Sequence, residues 1–266
     1  MSDNMLKDLG ITREQLRRIA QGRRRKPKIL PIAITDKVFT FGVVSDTHLG
    51  SNEERLDELH TFYDICRREK IAHVLHAGDL VAGTNVYRGQ ENEIHVYGFA
   101  RQLNYAAKHY PLVPGITTHF ITGNHDLVYW VRAGVDIGEA LAFKRPDMIY
   151  YGQDCADVPV GGIKVRLLHP GGGSAYADSY HLQRNIASLE GGTKPQVLIM
   201  GHYHRSLYLF NRNIHGLLAG TFEGQTTFQL RKNISPTVGG WTIKMRIAKD
   251  SHNSVVAVTP TFIPFF

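Results

Sequence analysis

Five apolar segments of this chain each end in polar residues of the kinds that bind metal ions. The segments cover residues 38–44, 72–76, 118–122, 163–168 and 197–200, and their length and composition are typical of buried β-strands. In open α/β sheets, ligands gather just beyond the carboxyl ends of the strands. The sequence therefore predicts an α/β fold in which five loops converge on one site.

The rest of the chain is predicted to be helical between these strands and richer in strand towards its end. Apolar residues at helical spacing predict helices over residues 54–69, 91–109 and 177–190. Short apolar runs predict further strands at residues 207–210, 217–219, 241–247 and 255–263. We expect two packed mixed β-sheets with helices on their outer faces.

The polar clusters that follow the five strands combine imidazoles and carboxylates. They are Asp46 with His48, Asp79, Asn124-His125-Asp126, His169, and His202 with His204. Such mixtures suit divalent Mn, Fe, Zn or Ni, whereas Mg and Ca prefer sites made of oxygen ligands. Two neighbouring cations repel each other, so an anion should bridge them, and Asp79 is the natural bridge. Gly78, Gly123 and Gly201 precede the ligands and let the loops approach closely.

In order and spacing, these clusters resemble the calcineurin-like metallophosphoesterase superfamily over most of residues 38–204. The resemblance implies the α/β/β/α sandwich of that superfamily and two divalent metal ions, with Mn²⁺ expected and Fe, Zn or Ni as alternatives. It implies that the first metal is held by Asp46, His48, Asp79 and His204. It implies that the second metal is held by Asp79, Asn124, His169 and His202.

The resemblance also implies how the chemistry is divided among the residues. A hydroxide shared by the two metals would attack phosphorus. His125 would donate a proton to the leaving group, and Asp126 would orient its ring and keep it protonated. His76, His119 and His181 match no motif position, and we interpret them as hydrogen-bonded structural residues.

The positive charge of the chain is concentrated at its start. Residues 1–28 contain nine Lys and Arg against three acidic residues, which gives six of the seven net positive charges. Thr12 and Gln15 have the spacing of a capping box, so we expect residues 1–34 to form a basic helical arm ahead of a phosphoesterase domain at residues 35–266. The arm suits a nucleic-acid partner, with Arg23, Arg24, Arg25 and Lys26 as candidate contacts; a solvated tail or a protein-docking segment is the alternative.

Two further segments are candidates for substrate contact. The glycine loop after His169 leads into a helix, so backbone N–H groups of Gly171 and Gly172 could bind a phosphate, with Arg184 as a clamp. Arg88 lies in a segment that follows Asp79 and could grip a nucleotide. A flexible turn and ordinary surface packing are the alternatives for these two segments.

Hydrolysis of phosphodiester bonds in DNA or RNA is the function that these features favour. The metal motifs also resemble those of the small exonuclease-type subunits of archaeal replicative polymerases and of double-strand-break repair nucleases. Ala82 departs from the second group, which often has histidine there. The alternatives are a phosphomonoesterase and a non-catalytic nucleic-acid-binding subunit of a replication or repair complex.

A cytoplasmic protein without a membrane partner is expected. No apolar run approaches the roughly 18 residues needed to cross a bilayer. The first ten residues have mixed charge and lack the apolar core of a secretory signal. The two cysteines, Cys66 and Cys155, are too few for a disulfide framework.

Overall fold

The computed structural model describes residues 30–33, 38–173, 175–248 and 255–266. The predicted helix of the basic arm lies outside these residues, as do Arg23, Arg24, Arg25 and Lys26. Only residues 30–33 of the arm are described. Among the described residues, no helix has the length and apolar character required to cross a membrane.

The first sheet has six strands in the order β11-β10-β1-β2-β3-β4. Strands β1 to β4 run parallel to one another, β10 is antiparallel to β1, and β11 is antiparallel to β10. Their bounds are β1 Val38–Val44, β2 His73–Ala77, β3 Thr117–Thr122, β4 Met148–Gln153, β10 Gly239–Ile247 and β11 Val255–Pro264.

The second sheet has five strands in the order β5-β6-β7-β9-β8. Its three central strands β6, β7 and β9 are parallel, and the two edge strands are antiparallel to their neighbours. Their bounds are β5 Cys155–Val160, β6 Ile163–Leu168, β7 Val197–Met200, β8 Ser206–Asn211 and β9 Ile214–Ala219.

All three predicted helices are present, and each is shorter than its prediction. The helices are α1 Leu56–Arg68, α2 Phe99–His109, α3 Asn124–Ala133, α4 Ile137–Lys144, α5 Tyr180–Ser188 and α6 Thr227–Arg231. The predicted helix over residues 91–109 begins only at Phe99, because Gly98 before it has a φ of +91°, outside the helical region. A separate 3-10 turn at Gln90–Asn92 precedes it.

The two sheets pack face to face, with helices on both outer surfaces. Phe41, Val43 and Leu75 of the first sheet are buried against a second-sheet surface that includes Val165 and Ile199. On the outer face of the first sheet, the apolar sides of helices α1 to α4 close a second core, and α5 closes a third on the second sheet. The predicted sandwich of two mixed sheets flanked by helices is confirmed.

Residues 30–33 lie along the edge of the second sheet. Ile32 is buried; its N–H donates to the carbonyl of Pro159 at 2.8 Å, and its own carbonyl accepts from Gly161 at 3.0 Å. The hydroxyl of Tyr151 donates to the carbonyl of Leu30 at 2.6 Å. The end of the predicted arm is therefore hydrogen-bonded to β5 and to the turn that follows it.

Candidate metal centre

The loops after β1 and β7 bring together the first group of candidate ligands. Nε2 of His204 lies 3.3 Å from Oδ1 of Asp46 and 3.2 Å from Nε2 of His48. Nε2 of His48 lies 3.8 Å from both Asp46 and Asp79. All of these side chains are buried. Their donor atoms are close enough to share one ion.

The loops after β2, β3, β6 and β7 form the second group. Nε2 of His169 lies 3.1 Å from Oδ2 of Asp79 and 3.2 Å from Oδ1 of Asn124. Donor atoms of Asp79, His169 and His202 lie within 4.8 Å of one another. The Asp79 carboxylate faces both groups, as a bridging ligand must.

Hydrogen bonds to the backbone fix the ring orientations of the second group. Nδ1 of His169 donates to the carbonyl of Ala77 at 2.8 Å, so Nε2 is the ring nitrogen that remains to bind a metal. Nε2 of His202 donates to the carbonyl of Gly172 at 2.8 Å, which leaves Nδ1 as the lone-pair nitrogen. This pattern, in which one ring nitrogen donates to a carbonyl, is usual for histidines that bind metals.

The glycines before the ligands are required for the close approach of the loops, as predicted. A Cβ atom at Gly78 would lie 2.5 Å from Nδ1 of His169. At Gly123 a Cβ would overlap the Asp79 carboxylate, and at Gly201 it would overlap Ser45 and the carbonyl of Ala77. A side chain at these positions would therefore displace the ligands.

Five of the seven candidate ligands have left-handed backbone conformations. Their φ angles are 51° at Asp46, 41° at His48, 53° at Asp79, 79° at His202 and 54° at His204. Such conformations are uncommon outside glycine and cost on the order of 1–3 kcal/mol each where they are enforced. Strain of this kind clusters at functional sites.

The electrostatics of the centre favour positive charge. Burial acts to lower the pKa of His48, but Glu223, Asp46 and Asp79 raise it to about 10. Burial also opposes the protonation of His169, and Asp79 nevertheless raises its pKa to about 9. The pKa of the Asp46 carboxyl is lowered despite burial, mainly by His204. Buried imidazoles and carboxylates in this arrangement fit two divalent cations.

The contacts of Asp126 differ from the prediction. Its buried carboxylate accepts hydrogen bonds from the N–H groups of Leu80, Val81 and Gly123 at 2.9–3.0 Å. Nδ1 of His125 instead contacts the carbonyl of Ala82 at 2.7 Å. The prediction that Asp126 orients the His125 ring is therefore wrong: the backbone of the loop after β2 supplies that acceptor.

His125 lies beside the first group with its Nε2 available to a ligand. Its ring is 4.4 Å from the ring of His48, in an edge-to-face arrangement. Burial lowers the pKa of His125 to about 4, despite the opposing effect of Asp79. The prediction that Asp126 keeps this ring protonated is therefore not supported, since the ring is neutral at pH 7. The N–H of His125 also donates to Oδ1 of Asp79 at 2.8 Å.

A cavity of about 810 Å³ opens above the two groups. One wall carries Tyr87 stacked on Phe228, with ring centroids 4.4 Å apart. Another wall carries His181 stacked on Tyr203 at 4.2 Å and an interplanar angle of 10°. His48, His125 and Asn124 lie at its floor. The cavity therefore offers aromatic surfaces on either side of the candidate metal centre.

Of the four predicted substrate contacts, one lines this cavity. Gly172 lines it and also accepts the hydrogen bond from His202. Gly171, Arg88 and Arg184 are exposed and do not belong to its described lining. The aromatic residue next to Arg88, Tyr87, is the one that faces the cavity.

Two residues beside the candidate ligands, Glu223 and Gln229, were not among the predicted site residues. Glu223 lies four residues after β9, and β9 runs parallel to β7, so its loop emerges at the same end of the sheet. The signal was present, because residues 217–219 were predicted to be a strand. Gln229 belongs to the capping box of α6, which Thr226 opens, and this spacing is also visible in the sequence.

Comparison with known proteins gives both a family match and named relatives. A sequence model of the calcineurin-like phosphoesterase superfamily domain matches residues 39–227. A Halobacterium salinarum protein named DNA polymerase II small subunit is 27% identical over 249 residues, which cover 80% of this chain and 49% of that protein. The equivalent Methanocaldococcus jannaschii protein is 26% identical over 251 residues, covering 78% and 42%. The chain thus spans about half the length of the curated relatives it matches.

Solved structures with a similar fold have low sequence identity. A structure described as a novel archaeal phosphodiesterase is 15% identical with a TM-score of 0.46, and the match covers 85% of this chain and 100% of that one. Vps29 from Entamoeba histolytica complexed with zinc is 13% identical with a TM-score of 0.41, covering 85% and 99%.

Proposed function

The chain belongs to the calcineurin-like phosphoesterase superfamily, and from this premise we propose that it hydrolyses phosphodiester bonds of DNA or RNA with two divalent metal ions, Mn²⁺ foremost. One observation carries the proposal: the cavity with two groups of metal ligands and His125 at its floor and stacked aromatic pairs in its walls. Nucleobases stack on such side chains, and this stacking contributes about 1–3 kcal/mol per base.

The candidate metal ligands and His125 have separate roles in this proposal. Asp46, His48, Asp79 and His204 would hold one cation, and Asp79, Asn124, His169 and His202 the other. When bound, these cations would make water a nucleophile near neutral pH and would stabilise negative charge on the phosphoryl oxygens. The carbonyl of Ala82 holds Nδ1–H of His125, so that Nε2 faces the cavity.

His125 would act as the acid at the leaving group through Nε2. Its ring is neutral in the protein alone, because burial lowers its pKa to about 4. A phosphate in the cavity brings negative charge close to the ring and favours the protonated form. The proton at Nε2 could then pass to the leaving oxygen, an acid catalysis worth about 10²–10⁴-fold in rate.

The named relatives favour a second level of function. We infer that the chain works as a subunit of a DNA polymerase assembly, because several relatives carry the name DNA polymerase II small subunit. All seven candidate metal ligands stand together here, which favours a catalytic subunit over a non-catalytic one. A phosphomonoesterase acting on a small substrate or a phosphoprotein is the alternative for the same metal centre.

A substrate panel tests the proposal. The 266-residue chain, loaded with Mn²⁺, is incubated with single-stranded and duplex DNA, RNA, bis-p-nitrophenyl phosphate and p-nitrophenyl phosphate. We expect release of nucleotides and turnover of the diester, both reduced at least about 100-fold in His125→Ala while two metals remain bound. His60→Ala removes an exposed histidine of α1 and should leave the rates unchanged. Turnover of the monoester alone would contradict the proposal.

The basic arm is tested separately. Deletion of residues 1–29 should weaken binding to nucleic acid and flatten its dependence on salt, since Lys and Arg contacts release condensed counterions. Turnover of bis-p-nitrophenyl phosphate should be unchanged, because the proposed metal ligands and His125 all lie outside residues 1–29. Unchanged affinity and salt dependence would show that the arm has another role.

A further inference from the structure

Glu223 lies in a segment that is tightly joined to the loop of Asp46. The N–H of Phe222 and the hydroxyl of Thr221 both donate to the carbonyl of Asp46, at 3.1 and 2.8 Å. The hydroxyl of Thr221 also accepts from the N–H of Glu223 at 3.0 Å. The position of Glu223 is therefore fixed relative to the first group of ligands.

The Glu223 carboxylate faces that group. Its Oε2 lies 3.9 Å from Nε2 of His48 and 3.9 Å from Nδ1 of His204. The side chain is 7% exposed and borders the cavity. A buried carboxylate is costly unless a positive charge or several hydrogen bonds stabilise it. The recorded ion-pair partners of Glu223, within the described part of the chain, are these two imidazoles.

Gln229 holds the carboxylate in this direction. Its Oε1 accepts from the N–H of Thr226 in the capping box of α6, at 3.2 Å. The other end of the amide is thereby turned inward, where its Nε2 lies 3.0 Å from Nδ1 of His204 and donates to Oε2 of Glu223 at 3.2 Å. Hydrogen bonds to both the backbone and the side chain of Glu223 therefore hold its carboxylate towards the first group.

The ring of His48 adds an independent observation. Its Nδ1 is buried and makes no hydrogen bond within the described residues. Its Nε2 is surrounded by Asp46, Asp79, His204 and Glu223 at 3.2–3.9 Å. Within the described residues, the polar contacts of this ring are therefore made by Nε2, the nitrogen that faces the candidate metal position.

We propose that Glu223 is a further acidic residue of the first metal position, acting directly on the cation through its charge. The inference rests only on the two-metal part of the proposed function. With Glu223, the first position has two carboxylates of its own besides the shared Asp79. The second position has no carboxylate of its own among the residues assigned to it, which are Asn124, His169 and His202 with the shared Asp79.

This difference in charge makes the two positions unequal. A divalent cation gains more from three nearby carboxylates than from one, since their attraction is strong in a buried environment. The first position should therefore fill at low Mn²⁺ and keep its ion. The second should exchange its ion freely and fill only at higher Mn²⁺.

Calorimetric titration of the metal-stripped 266-residue chain with Mn²⁺ tests the proposal. We expect two classes of site in the unaltered protein. Glu223→Gln keeps the shape and the hydrogen-bonding capacity but removes the charge, and it should weaken the tight class about 10–100-fold while leaving the weak class unchanged. Asp178→Asn removes a carboxylate that lines the same cavity and pairs with Arg205, and it should change neither class.

A second variant separates a direct effect from an indirect one. Gln229→Met removes the amide that contacts both Glu223 and His204 but keeps the carboxylate and the imidazole themselves, so the tight class should weaken by less than about threefold. A loss equal to that of Glu223→Gln would mean that the orientation of Glu223 and His204 by the Gln229 amide, and not the charge of Glu223, sets the affinity, and it would overturn the proposal. Equal weakening of both classes in Glu223→Gln, or no weakening, would also overturn it.

Circular dichroism and native mass spectrometry complete the test. Circular dichroism of the metal-free proteins establishes that each variant is folded. If Glu223→Gln does not fold, Glu223→Asp replaces it, and a shorter carboxylate should weaken the tight class by a smaller factor. Native mass spectrometry counts the bound ions. Failure of the unaltered protein to bind two Mn²⁺ would contradict the proposed function itself, whereas two ions bound equally well by Glu223→Gln would contradict this inference alone.

Discussion

Replacement of Asp126 should lower the unfolding free energy by an amount that follows from the hydrogen bonds its carboxylate accepts. The buried carboxylate joins two ligand-bearing loops: it accepts from Leu80 and Val81 after β2 and from Gly123 after β3. In Asp126→Ala, all three N–H groups lose their acceptor. The loop that carries Asp79 would then be held to the start of α3 by His125, whose N–H donates to Oδ1 of Asp79 and whose Nδ1 contacts the carbonyl of Ala82.

The expected loss of unfolding free energy is about 3 kcal/mol. A buried donor left without an acceptor costs about 1–3 kcal/mol, so three donors give about 3 kcal/mol at the lower limit. The lower limit applies because burial raises the pKa of Asp126 to about 7, with the charge of Asp79 adding to the effect. Removing a poorly solvated carboxylate recovers part of the cost. Asp126→Asn keeps one oxygen and should lose about 1–2 kcal/mol.

Urea unfolding of the metal-free protein at pH 8 measures this loss. The chelated protein is used because bound metal would add its own stabilisation to every variant. Asp64→Asn is the control: it removes an exposed carboxylate that pairs with Arg67 on α1, and should change stability by less than about 0.5 kcal/mol. If Asp126→Ala behaves like this control and loses only activity, Asp126 acts on the chemistry and the reasoning from its backbone contacts is refuted.

Two further predictions follow from the close packing of the loops and from a buried histidine far from the metal centre. Gly78→Ala should lower the unfolding free energy, measured with urea, by at least about 2 kcal/mol and should weaken binding of the second Mn²⁺, because the new Cβ would overlap His169. Gly115 also has a positive φ but open space around it, so Gly115→Ala should lower the unfolding free energy by less. Burial lowers the pKa of His119 to about 3, so its neutral ring should stabilise the fold above pH 6.5, and this contribution should be lost as the pH falls towards 3. In that range His119 should add at most about 1.4 kcal/mol per pH unit to the slope of the unfolding free energy against pH, and the slope should be smaller in His119→Asn.

The convergence of the ligands was predictable because it depends on two properties that a sequence displays. Apolar runs identify buried strands, and parallel strands place the residues that follow them at one edge. As predicted, the candidate ligands converge at the carboxyl ends of five strands, β1, β2, β3, β6 and β7. The glycines that allow the close approach of the loops are also those predicted. Strands β4 and β5 were not predicted, because Tyr, Gln, Asp and Pro interrupt their apolar pattern.

The partners of individual site residues could not be predicted in the same way. The acceptor for Nδ1 of His125 is the carbonyl of Ala82, and the donors to Asp126 are backbone N–H groups. Every residue has a carbonyl and nearly every residue an N–H, so a sequence pattern does not distinguish the ones that are used. A neighbouring carboxylate looked like the partner of His125 because the two are adjacent in sequence, but at the start of α3 adjacent side chains point in different directions.

His76 shows how a residue outside the motifs supports the strained backbone of the ligands. It is fully buried, and burial lowers its pKa to about 3, so the ring is neutral. Its Nδ1 accepts from the N–H of Gly78 at 3.2 Å, so its Nε2 carries the proton and donates to the hydroxyl of Thr47 at 3.1 Å. One ring thus joins the Asp46–His48 loop to the Asp79 loop, whose ligand residues have positive φ angles. The interpretation of His76 as a structural residue agrees with these contacts, and here that structural role keeps the ligands in conformations which they would otherwise avoid.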